Sequence, residues 1–247
     1  MKSIAISIII TAVLVNTGCL TASENTQQAD DMSGKHLFIL SGQSNMVGLK
    51  PEVSFTPAVT NAFGKDNVIV VKDAYGGQSI RSWVKANHEF PPPTTGRVPK
   101  VRGELYGRLM EKVKTATAGQ SLKTVTFVWM QGESDLNNTA YDVYLKELLG
   151  QLEADLAFKK INLVIGRISD AGLHPEKPLE GKHKRMFEGA QTIRRTQVEF
   201  AESYARGAWV DTDDLNNKKQ GDTMASIPNY IFFGQGFCNR LLYSLGR

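Results

Sequence analysis

The sequence predicts an α/β protein, with a central parallel sheet and helices on both faces. Two observations carry this. Five apolar runs of strand type alternate with helical segments along the chain, which is the pattern of repeated strand–helix–strand units. The first three runs end in polar, glycine-containing clusters, and in an open α/β sheet ligands bind outside the carboxyl ends of the strands.

The first run, residues 37–40, leads into Ser41-Gly42-Gln43-Ser44-Asn45-Met46. Gly42 permits a tight turn that a side chain obstructs. Ser44 then stands at the head of a helix, placed for nucleophilic attack with its own N–H near the oxyanion that forms. A Ser or Asn that caps a helix explains the same residues equally well. Residues 67–72 form the second strand and run into Asp73-Ala74-Tyr75-Gly76-Gly77-Gln78-Ser79-Ile80. The Gly77 N–H is a candidate second oxyanion donor; a plain strand-to-helix turn is the alternative. Residues 88–99, with Pro91-Pro92-Pro93, read as a loop at the rim of the site. A helix follows over 104–115, with Leu105, Leu109, Met110 and Val113 on one face.

The third strand, 125–130, is apolar enough to be buried on both faces. It delivers Gln131-Gly132-Glu133-Ser134-Asp135 to the same sheet edge. Gln131 offers its side-chain amide to an oxyanion, and Glu133 offers its carboxylate to a histidine N–H. Capping of a helix by Ser134 or Asp135 is the alternative. A helix over 141–158 packs back through Leu145, Leu148, Leu149 and Leu152. The fourth strand, 161–166, ends at Arg167-Ile168-Ser169-Asp170, and a loop with His174 and His183 follows. The helix over 186–204 carries Arg194, Arg195 and Gln197, whose charges read as a solvated face. The fifth strand, from Ala208, ends in Asp211-Thr212-Asp213-Asp214, which puts Asp211 and Asp214 beside Glu133 as candidate catalytic acids.

A chain of 247 residues is long enough for one substantial α/β domain, and neither an internal repeat nor a second domain is visible. The net charge of +4 is mild and its Lys and Arg are dispersed, which argues against nucleic-acid binding. Residues 1–19 have the charged start and apolar run of a secretory signal. Gly18-Cys19 resembles the processing site of bacterial lipoproteins, which implies a lipid anchor at Cys19; soluble export is the alternative. Residues 20–34 read as a polar tether and 35–247 as the folded domain. The protein is therefore expected outside the cytoplasm, periplasmic, membrane-anchored or secreted. With Cys19 lipidated or removed, Cys238 has no partner for an internal disulfide.

Three strand ends carry Gly-Gln-Ser-Asn-Met, Gly-Gly-Gln-Ser-Ile and Trp-Met-Gln-Gly-Glu-Ser-Asp, in that order. Together they resemble the SGNH-type hydrolases, and more closely the sialic-acid-specific acetylesterase-like group that includes carbohydrate esterase family 6. The resemblance runs from about Lys35 to Leu215. It implies a flavodoxin-like three-layer α/β/α sandwich and hydrolysis of O-acyl, usually O-acetyl, esters on carbohydrates. Nothing in the sequence suggests an obligate oligomer, so a monomer is expected. By motif position Ser44 is the nucleophile, the Ser44 and Gly77 N–H groups with the Gln131 side chain form the oxyanion hole, and Glu133 orients a histidine. The group needs no metal and no cofactor.

The group closes with Asp-x-x-His soon after its fifth strand, and that histidine is its general base. The four histidines of this chain are His36, His88, His174 and His183, and none follows Asp211. Asp222-Thr223-Met224-Ala225 puts an alanine where the base belongs, and the tail from about 216 is atypical of the group. Three readings follow: a reading-frame change near the end of the gene, divergence into a non-catalytic carbohydrate-binding protein, or rescue by His174 or His183.

Overall fold

The computed structural model describes residues 34–85, 103–170 and 180–213. The expected loop at 88–99, His174, Asp214 and the tail, and both cysteines lie outside the described residues. The sheet has five parallel strands: β1 (Lys35–Gly42), β2 (Val68–Ala74), β3 (Leu122–Met130), β4 (Asn162–Gly166) and β5 (Gly207–Val210). Their order is β2-β1-β3-β4-β5. That is the flavodoxin-like doubly wound order, whose switch point lies between β1 and β3.

The helices are α1 (Ser44–Gly48), α2 (Phe55–Phe63), α3 (Glu104–Thr117), α4 (Tyr141–Asp155) and α5 (Gly181–Ser203). Strand alternation sorts the core into two layers. Leu37, Ile39, Phe127, Trp129, Leu163 and Ile165 pack with α3, α4 and α5 on one face. Phe38, Leu40, Val128, Met130 and Val164 pack with α1 and α2 on the other. Residues 125–130 are buried throughout, as an apolar run in a central strand requires.

The sequence reading has no counterpart for α2. Its segment carries Pro57 and two threonines, which lower helix propensity. Pro57 stands in the first turn, where a missing N–H costs little because that donor has no intrahelical acceptor. Burial of Phe55, Val59 and Phe63 does the rest.

The reading of the α5 charges as a solvated face needs correction. Arg195 is exposed, but Arg194 and Gln197 are buried. They share one stripe with Ala190, Ile193 and Ala201, the i, i+3, i+4, i+7 spacing of a core-facing helix side.

Candidate active site

Three strands end level with one another. Gly42 pairs with Ala74 of β2 on one side and with Met130 of β3 on the other. The ladders continue one step beyond, through Tyr75 N to Gly42 O (3.0 Å) and Gln43 N to Met130 O (2.9 Å). The segments starting at Gln43, Tyr75 and Gln131 therefore leave the sheet side by side at the switch point. Gly42 makes this approach possible: its φ is +145°, and a Cβ there would lie 1.9 Å from Met130 O. Ser44 is the first residue of α1, so its N–H is among those without an intrahelical acceptor. Among the described residues its hydroxyl has no hydrogen-bond partner. Gly77 follows in the β2 loop with φ +68°.

Asp135 ties the second and third of these segments together, and Gln131 links them to the first. Asp135 is 3% exposed and caps no helix, since α4 begins only at Tyr141. Its carboxylate accepts from Ser79 Oγ (2.7 Å), Ile80 N (2.8 Å), Gln131 Nε2 (2.6 Å) and Asn138 Nδ2 (2.9 Å). Four donors offset the cost of burying the charge. Gln131 is fully buried. Its Nε2 also faces Gln78 O at 2.9 Å and Gln43 Oε1 at 3.1 Å. This differs from the expected donor role: in this arrangement the Gln131 amide is engaged inward by its neighbours. Its backbone carbonyl is held by Tyr141 OH (2.6 Å) and Gln197 Nε2 (2.8 Å).

Glu133 lies against the helix that carries Ser44. Asn45 Nδ2 donates to its Oε1 at 2.7 Å, while its Oε2 is buried with no partner. Burial pushes the Glu133 carboxyl above the usual range, and Asp135 adds to this; its own backbone N–H and Asn45 oppose it. An N–H donor brought to Oε2 satisfies this carboxylate, which suits an orienter of an imidazole.

The end of β5 is built differently. Arg167 Nη2 donates to Asp211 Oδ1 (2.6 Å) and to Asp213 Oδ2 (2.7 Å). Arg194 grips Asp213 with both terminal nitrogens, each at 2.7 Å. Asp170 N adds a further bond to Asp213 Oδ1 at 2.9 Å. Burial alone raises the Asp213 carboxyl, but the hydrogen bonds and charge of Arg194, then Asp170 N and Arg167, hold it below the usual carboxylate range. The structure thus places Asp211 in an arginine-bound cluster centred on Asp213, a residue the sequence reading passed over. The legible signal was Arg194 on the buried stripe of α5.

Two histidines are described. His36 bonds Thr124 Oγ1 through Nδ1 at 2.8 Å and lies near the start of β1. Six residues of strand, about 20 Å, separate it from Gly42. His183 lies in the first turn of α5, its Nε2 buried without a partner. No group of three His, Cys, Asp or Glu suited to a metal occurs among the described residues.

Comparison with known proteins follows the same lines. Among solved structures, a protein from Arabidopsis thaliana superimposes with a TM-score of 0.61 at 19% identity, over 85% of this chain and 98% of that one. A carbohydrate acetylesterase from Xanthomonas citri gives 0.59 at 13% identity, over 87% and 57%. One from Sinorhizobium meliloti gives 0.55 at 13%, over 85% and 99%. At these identities the likeness establishes the fold. A protein of Arabidopsis thaliana named probable carbohydrate esterase is 24% identical over 174 residues, 68% of this chain; the chain spans 59% of that relative's length. The family described as carbohydrate esterase, sialic acid-specific acetylesterase, matches residues 47–241. The match begins just after Ser44 and runs past Leu215, where the sequence reading ended the resemblance. By that match, which covers most of the chain, this protein belongs to the carbohydrate esterase, sialic acid-specific acetylesterase family.

Proposed function

We propose that this chain is a carbohydrate O-acetylesterase-like serine hydrolase with Ser44 as nucleophile. One observation supports the reading above the others: the ends of β1, β2 and β3 are level, so the segments with Ser44, Gly77 and Gln131 leave the sheet side by side at the switch point, joined by bonds from Asp135 to Ser79 and Gln131 and from Gln131 to Gln43. Ser44 Oγ loses its proton to water as it bonds the acetyl carbonyl carbon, and the carbonyl oxygen takes the negative charge. On collapse the carbon–oxygen bond to the sugar breaks and the sugar oxygen takes a proton back from water. Water then hydrolyses acetyl-Ser44. The Ser44 and Gly77 N–H groups, with a side-chain amide from the glutamine pair, stabilise the oxyanion, each donor contributing about 2.7–4 kcal/mol.

No histidine follows Asp211, and this favours a second reading, a protein that binds acetylated glycans without cleaving them. A triad that lacks one member retains about 10³–10⁴-fold acceleration over water, so the esterase reading predicts slow turnover. The test is acetate release from an aryl acetate and from acetylated polysaccharide, beside Ser44→Ala. Slow release that vanishes in Ser44→Ala supports the hydrolase. Equal release by both chains, with retained binding of the polysaccharide, supports the binder. His183→Ala in the same assay tests rescue: unchanged turnover removes His183 as the base.

Export, with a lipid anchor at Cys19, belongs to the same proposal and rests on residues 1–19 alone. The mass of the mature N-terminus tests it: diacylglyceryl-Cys19 is expected, and an unmodified terminus elsewhere overturns the anchor. We infer a monomer, to be checked by its sedimentation.

A further inference from the structure

Gln131 Nε2 has two hydrogens and three acceptors, at Asp135 Oδ2, Gln78 O and Gln43 Oε1. It has none left for a substrate. Turning it outward strips a donor from the buried Asp135 carboxylate and leaves that acceptor unmet.

Gln43 is in the opposite condition. It is 3% exposed and directly precedes Ser44. Its backbone N–H is fixed on Met130 O at 2.9 Å. Its Oε1 receives both Gln131 Nε2 (3.1 Å) and Ser134 N (3.3 Å). Two donors on one atom settle which end of the amide is oxygen, because the reverse orientation sets donor against donor. The Gln43 NH2 is thereby held in one orientation, and among the described residues its hydrogens have no acceptor. Nε2 is not among the fully buried atoms that lack a partner, so it keeps access from outside, and a ligand oxygen can accept its hydrogens.

The geometry points to Gln43 as the side-chain donor of the oxyanion hole, with Gln131 and Asp135 as the buttress that aims it. As the Ser44 Oγ–carbon bond forms and the carbonyl π pair moves onto oxygen, Gln43 Nε2–H donates a hydrogen bond to that oxygen and transfers no proton. Donors fixed before the reaction, beside the developing charge, are the arrangement that lowers the barrier without reorganisation. The inference rests on Ser44 acting as nucleophile.

The test uses Gln43→Glu in the full chain. The carboxylate keeps the acceptor for Gln131 Nε2 and Ser134 N and removes the NH2. Because it also adds a negative charge, Gln43→Met, which removes the NH2 without a charge, is measured beside it. Turnover is measured on an aryl acetate and on the matching aryl thionoacetate, whose sulfur is a poor hydrogen-bond acceptor. The expected result is a fall in kcat of about 10²–10³-fold on the acetate, with KM little changed and a much smaller fall on the thionoacetate. The ratio between the two substrates is independent of the folded fraction, so it decides even where the variant folds poorly. Wild-type turnover in Gln43→Met, or a parallel fall on both substrates in that uncharged variant, overturns the role of Gln43 and leaves Ser44 standing. A wild-type chain no faster than Ser44→Ala overturns both.

Discussion

Two ends of the same sheet edge handle buried polar groups in opposite ways. At β4 and β5, Asp213 meets Arg194 on two bonds, Arg167 on a third and Asp170 N on a fourth. At β1 and β3, Glu133 Oε2 and Gln131 Oε1 are buried with no partner, and among the described residues the Gln43 NH2 has no acceptor. The first arrangement holds the exit of β5: every carboxylate oxygen of Asp213 is engaged by an arginine, and among the described residues there only Arg167 Nε is left buried without a partner. The second leaves hydrogen-bonding capacity open around Ser44, and unmet capacity in a crevice is what a ligand or a transition state satisfies. The carboxyl groups record the contrast: burial drives Glu133 up, while the arginines hold Asp213 down despite its burial.

The largest effect tests whether the crevice depends on backbone contact. Gly42→Ala places a methyl 1.9 Å from Met130 O at a φ of +145°. The strand ends must separate, and the loss exceeds about 4 kcal/mol. Little soluble folded protein is expected, with no thermal transition in what remains. A variant that melts like the parent breaks the account of why Ser44 and Gln131 meet.

The arginine-bound end is next in size. Asp213→Asn leaves Arg194 buried with its main counter-charge removed. Breaking a fully buried pair costs about 3–5 kcal/mol; with the Asp213 side chain 28% exposed, about 2–3 kcal/mol is expected after allowing for solvent screening. For a domain of this size that is a fall in Tm of about 5–10 °C. Because the folded pKa of Asp213 is depressed, its contribution is present above the unfolded value of about 3.9. It is lost as pH falls through the folded value, so the Tm gap between parent and variant closes in acid. A gap that persists unchanged at low pH ties the loss to shape rather than charge.

Most of the frame was legible. The strand runs at 37–40, 67–72, 125–130 and 161–166 each fall on one of β1 to β4, with ends that differ by up to three residues, because apolar strands in a parallel sheet are written as near-continuous runs. α2 was not, since Pro57 and the threonines weaken the local signal and tertiary burial overrides it. In the site, the sequence placed Ser44 and Glu133 at strand ends, where motif and turn chemistry are local. It did not show how Gln43 and Gln131 pair. Gln131 is held by Asp135 of its own segment and by Gln78 O, while the Gln43 oxygen is fixed by Gln131 and by Ser134 N from across the switch point. The same holds for Asp213, whose partners lie on β4's exit and on α5. Hydrogen-bond direction is a long-range property, and a motif names the residues without fixing it.

Glu133→Gln gives the smallest effect and the opposite sign. The amide keeps an oxygen for Asn45 Nδ2 and carries no charge to bury. A carboxyl whose folded pKa is raised binds more protons in the folded chain than in the unfolded one, so stability falls as pH rises from the unfolded value, about 4.3, through the folded value. The substitution removes that penalty. The variant is expected to match the parent in acid below the unfolded value and to melt higher at neutral pH, while acetate release falls. Stability and activity then move apart at one residue, the pattern of a group retained for chemistry against its cost to the fold. A Tm that falls at neutral pH makes Glu133 a structural carboxylate like Asp135, and the contrast between the two ends of the sheet edge disappears.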